Sequence, residues 1–76
     1  MGKLPRISGK EMVRFLERQH FIVRRVTGSH HVMRNGELQT VVPVHGNQDL
    51  RMGTLRGILR DITMEPEEFE RLWNAL

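Results

Sequence analysis

Cysteine and tyrosine are absent, tryptophan occurs once, and no apolar run approaches the roughly 18 residues that a membrane span needs. Without cysteine there is no disulfide framework, no thiolate nucleophile and no zinc site with sulfur ligands, and a reducing compartment is the natural setting. The first residues, Met1-Gly2-Lys3-Leu4-Pro5-Arg6, lack the apolar stretch of a secretory signal, and Arg6 stands where a myristoylation motif wants Ser or Thr. A soluble, cytoplasmic protein is expected. Only 38% of the 76 residues are hydrophobic, and a chain of this length buries only roughly 60% of the surface it exposes when unfolded. One domain over residues 1–76 is expected, with a single core, marginal stability and no deep cofactor pocket, hence no cofactor.

Charge is present and unevenly spread. Residues 1–34 hold eight Lys or Arg against two Glu, a balance of +6, whereas residues 61–76 hold Arg71 against Asp61, Glu65, Glu67, Glu68 and Glu70, a balance of −4. A basic body suits a polyanion such as RNA; an ordinary solvated surface is the plain alternative.

Local signals set the element order. Ser8 and Glu11 have capping-box spacing, flanked by Ile7 and Met12 at staple positions, which predicts a helix from about Gly9 to Gln19 with Met12, Phe15 and Leu16 as its apolar stripe. Phe21–Thr27 reads as a strand, Gly28-Ser29 as a turn, His30–Arg34 as a second strand, Asn35-Gly36 as a two-residue hairpin turn and Glu37–Val42 as a third strand ended by Pro43. Leu55, Ile58, Leu59 and Ile62 recur at helical spacing, as do Phe69, Leu72, Trp73 and Leu76, the latter preceded by Pro66, Glu67 and Glu68 as helix-start residues. The fold class is therefore α+β in the order α-β-β-β-α-α, a three-stranded antiparallel meander with helices on one face.

With Asn35-Gly36 as the turn, Arg34 lies opposite Glu37, Met33 opposite Leu38, His31 opposite Thr40 and His30 opposite Val41. Alternation then puts Met33, Leu38, His31, Thr40 and Val42 on the helix-covered face and Arg34, Val32, Gln39, His30 and Val41 on the open one.

Four histidines at 20, 30, 31 and 45 invite a metal-site reading, but strand neighbours point to opposite faces and no carboxylate sits at ligand spacing, so no metal is expected. Gly46 lacks any following phosphate-loop pattern and suits a turn, and Arg56 with Arg60 reads as a solvated face or a phosphate clamp. Arg24 and Arg25 are more suggestive, because at least one must lie on the open face. Gly28-Ser29-His30 carries the best chemistry, since an imidazole with an ordinary pKa near ~6.5 can take the proton of an RNA 2′-hydroxyl, and nearby arginines can neutralise the phosphorane. A noncatalytic RNA-binding module and a protein-interaction domain using the acidic last helix stay open on these residues alone.

The ordered set Gly28-Ser29-His30-His31, Val42-Pro43-Val44-His45-Gly46, Gly53-Thr54-Leu55-Arg56 and Ile58-Leu59 resembles the HicA family of toxin-antitoxin systems, also called YcfA-like proteins. The resemblance runs from Ser8 to about Phe69 and implies a fold similar to the double-stranded RNA-binding domain. It implies an mRNA interferase whose functional histidine falls at His30, held off by a HicB antitoxin. On that basis His30 is the expected catalytic residue, with Gly28, Ser29, Arg24, Arg25 and Lys10 as expected RNA-binding residues and mRNA and a HicB-type antitoxin as partners. Two positions depart from the family's habit: His20 replaces a helix-ending glycine, and Met33 replaces an aromatic residue.

Overall fold

A computed structural model describes residues 4–76. Helix α1 (Gly9–Arg18) is followed by strands β1 (Ile22–Thr27), β2 (His30–Asn35) and β3 (Leu38–Pro43) and by helices α2 (Met52–Asp61) and α3 (Pro66–Asn74), which is the α+β order the sequence predicts. The strands form one antiparallel sheet in the order β1-β2-β3.

The start of α1 follows from its cap. The Ser8 hydroxyl accepts from the Glu11 amide at 3.2 Å and the Glu11 carboxylate accepts from the Ser8 amide at 2.8 Å, so two amides that a helix start leaves unpaired are satisfied reciprocally. Its end is a Schellman motif: the Phe21 amide donates to the Leu16 carbonyl and the His20 amide to the Glu17 carbonyl, with His20 at φ 73°. Phe21 and Leu16, the pair that such a motif brings together, are both buried. α2 ends the same way, with Thr63 at φ 56° and the Met64 amide on the Leu59 carbonyl.

The second hairpin differs from the sequence expectation. Asn35 pairs with Leu38, Arg34 with Gln39, Met33 with Thr40, His31 with Val42 and His30 with Pro43, so the turn is Gly36-Glu37 and the register is shifted by two. Gly36 takes φ 61°, as the first central residue of a type II′ turn must, and Asn35 keeps negative φ. In this register the Asn35 side-chain amide reaches the Gln19 carbonyl at 3.4 Å, a long exposed contact between the hairpin and the end of α1, and Asn35 closes the strand pair instead of entering the turn. A shift of two leaves every side chain on its expected face, because the strand period is two.

The helices pack on β2 and β3. Met33 and Val42 of the sheet meet Met12, Phe15 and Leu16 of α1 and Leu55, Ile58 and Leu59 of α2 in one core. Thr40, also buried, donates its hydroxyl hydrogen to the Asp61 carboxylate at 2.9 Å and so joins β3 to the end of α2. Phe69 is fully buried and meets Phe15 edge-on at 4.8 Å, so α3 packs on this same core; Leu76, the last apolar residue of its repeat, is 59% exposed. All six residues of β1 are exposed, and this strand overhangs the helix layer. No helix among the described residues is long and apolar enough to cross a membrane.

Candidate active site

His30 opens β2 immediately after the Gly28-Ser29 turn, where Gly28 takes φ 58°, and it pairs with Thr27 on one side and Pro43 on the other. The Ser29 carbonyl accepts from the Val44 amide at 2.6 Å, which fastens the turn to the end of β3. Below that end lies Gly9 at the start of α1, where an added Cβ would overlap the Pro43 carbonyl oxygen. Helix, turn and strand end are thus clamped together at one end of the sheet. The backbone of His30 is held from both sides while its imidazole stands exposed on the open face.

His31, one residue on, faces the other way. It is half-buried, pairs with Val26 and Val42, and lines a hollow of about 210 Å³ with Lys10, Val13, Arg14, Glu17 and Val44. Its Nδ1 is buried with no hydrogen-bond partner among the described residues. The two adjacent histidines therefore cannot act on one phosphate from the same side of the sheet.

β1 carries a bulge. Val23 pairs with Met33 and Arg25 with Val32, so Arg24 is an extra residue between them. Regular alternation would send Arg24 and Arg25 to opposite faces, whereas here both line one shallow groove of about 240 Å³ with Val32, Arg34 and Gln39. That is the open face, the side to which His30 also belongs. Arg34 is steadied by a bond of 2.7 Å from its Nε to the Gly36 carbonyl.

Of the residues singled out from sequence, the structure brings Arg24, Arg25 and His30 onto one sheet face, with Gly28 and Ser29 as the turn that presents His30. Lys10 is not among them: it lies in the helix layer, beside Arg14 and the His31 hollow. Arg34 and Gln39 were sorted to the open face by alternation but not singled out, and a run of two arginines in a strand gives no local sign of the bulge. His45 lines a different hollow, of about 340 Å³, with Gln48, Arg51 and Thr54 at the start of α2; it shares Pro43 with the His30 pair but does not include His30. No group of three or more His, Cys, Asp or Glu converges as a metal site would require among the described residues.

Residues 9–64 match the model of a family described as the HicA toxin of bacterial toxin-antitoxin systems. The chain belongs to the HicA toxin family. Membership makes it a toxin of a toxin-antitoxin pair and implies an antitoxin partner. The matched stretch of this HicA chain takes in α1, the whole sheet and α2, and with them His30, Arg24 and Arg25, whereas α3 follows it. No curated protein matches the chain.

Proposed function

We propose that this HicA chain is an endoribonuclease that cleaves mRNA with His30 as its catalytic residue, that residues 1–76 act as one domain in the cytoplasm, and that a HicB-type antitoxin silences it by covering the open sheet face. The observation that carries the reading is the placement of an exposed histidine, on a clamped backbone, on the same face as two arginines brought together by a bulge. An imidazole so placed takes the proton of a 2′-hydroxyl; the 2′-oxygen then bonds to the adjacent phosphorus and the bond to the 5′-oxygen breaks. The proton returns from the imidazolium to that leaving oxygen, so one histidine suffices if it shuttles. Arg24 and Arg25 draw in the backbone and offset charge gathering on the phosphorane, while Gly28 and Ser29 present turn amides to its oxygens. No step calls on a metal ion or cofactor.

The test is cleavage of a labelled transcript in EDTA, together with growth on induction. His30→Ala is expected to lose roughly 10² to 10⁴ in rate and to relieve growth arrest at an unchanged melting temperature. His31→Ala, which empties a half-buried position, is expected to lower the melting temperature while keeping activity per folded molecule. A transcript left intact by the wild-type protein would favour a noncatalytic RNA-binding module, and an active His30→Ala would remove the catalytic assignment.

A further inference from the structure

The groove on the open face contains more than the reaction needs. Arg24, Arg25 and Arg34 surround it, Val32 forms its floor, and Gln39 offers an amide with two donors and one acceptor oxygen. No aromatic side chain lies there, since Phe15, Phe21 and Phe69 are in the core and Trp73 packs against them. Arg34 is bonded among the described residues to Gly36 through Nε, which leaves its terminal nitrogens and the plane of its guanidinium for a ligand. Arg34 and His30 share β2 and are separated by four residues, roughly 13 Å at the rise of an extended strand.

We infer that this groove is a cradle for a single, unpaired RNA strand, with guanidinium planes in place of aromatic rings as stacking surfaces, and that it holds the nucleotides a short way along from the phosphate at His30. The inference rests on the proposed ribonuclease reading and adds to it a substrate form, a path and two residues, Arg34 and Gln39. Three considerations select the single strand. A duplex in A-form meets a sheet face as a convex cylinder, its deep major groove closed to side chains and its base faces stacked out of reach, so that arginines could meet only phosphates, 2′-hydroxyls and minor-groove edges. A splayed strand can instead lay bases flat against arginines, which stack on any base, and present Watson–Crick edges to Gln39. The bulge matters here, because it sets two adjacent arginines side by side on one face, where they can flank a single nucleotide. Phosphate attraction supplies affinity without sequence information, so whatever base preference the protein has is set by Gln39, a few nucleotides from the cut.

The experiment uses the full chain carrying His30→Ala, so that RNA survives, and measures fluorescence anisotropy with a 12-nucleotide single strand and with the blunt duplex of the same sequence. The single strand is expected to bind at least tenfold more tightly. Arg34→Ala is expected to weaken it at least fivefold and to lower the salt dependence, and Arg34→Lys, which keeps the charge and loses the plane, to recover the salt dependence but only part of the affinity. Circular dichroism melting confirms that each variant is folded. Equal or tighter duplex binding, or single-strand affinity untouched by Arg34→Ala, overturns the cradle. Cleavage by the wild-type protein is scored separately: a protein that cuts but fails the binding comparison retains the ribonuclease reading, and one that passes it without cutting retains the cradle alone.

Discussion

Gly9 and His30 stand at opposite sides of the same clamp. As the proposed catalytic residue, His30 needs a fixed backbone beneath a free side chain, and the lack of a Cβ at Gly9 lets α1 lie close against Pro43 and Val44 at the end of β3 and so, through the Val44–Ser29 bond, near the Gly28-Ser29 turn. Nothing local distinguishes Gly9 in the sequence, because a helix start tolerates most residues; its requirement comes from a segment more than thirty positions away. Gly9→Ala is expected to cost about 2 kcal/mol and to lower the melting temperature by on the order of 10 °C, since the Pro43 carbonyl is backbone and cannot swing aside. Activity is expected to fall further than the folded fraction does, because the turn that presents His30 is displaced with the strand end. A variant as stable and as active as the parent would show that the clamp is dispensable.

At the scale of elements, both α1 and α2 end in a Schellman motif without the glycine that favours it. His20 bears the left-handed conformation at modest cost, as histidine is among the residues found there, but Thr63 is β-branched and is strained. Thr63→Gly is expected to stabilise the protein by about 0.5–1 kcal/mol, a rise of several degrees in melting temperature, with a smaller gain for His20→Gly. A loss of stability at Thr63→Gly would mean that the bond from its hydroxyl to the Ile62 carbonyl outweighs the strain. The departure at His20 was visible in the sequence; the one at Thr63 was not, as no turn residue marks it.

The same contrast runs through the sheet. Element order and the two faces were legible, because alternation of Met33, His31 and Thr40 against Val32, Arg34 and Gln39 survives any even shift of register. The register itself was not, because Gly36 can serve as the second central residue of an Asn-Gly turn or as the first of a Gly-Glu turn, and the local sequence does not choose between them. The bulge was equally hidden, and with it the pairing of Arg24 with Arg25. Helical spacing announced α3 but could not say that Phe69 would be sealed against Phe15. His30 was legible as a candidate from its turn, and its exposure follows from the face assignment.

Over the whole molecule, Arg24, Arg25 and Arg34 give the open face its positive charge, Lys10 and Arg14 lie in the helix layer, and the acidic residues from Asp61 onward belong to the end of α2 and to α3. If the antitoxin is acidic, it is expected to be drawn to the side that carries His30, at a rate that falls with added salt. Hydrogen exchange of the complex with the protein encoded by the neighbouring reading frame is expected to show new protection across residues 22–34. Protection confined to residues 69–76 would place the partner on α3 and leave the proposed site uncovered.

β1 is exposed along its full length and pairs in the sheet with β2, so the two parts of the proposed site are supported unequally. Arg24 and Arg25 ride on a fully exposed strand, while His30 sits where three segments are fastened. On the proposed ribonuclease reading, the strand that grips RNA is the one expected to adjust to it, and the turn that presents His30 the one expected to stay put. A toxin that cleaves as proposed, accepting many messages yet aligning one phosphate, would have a use for that division: a compliant hand beside a rigid blade.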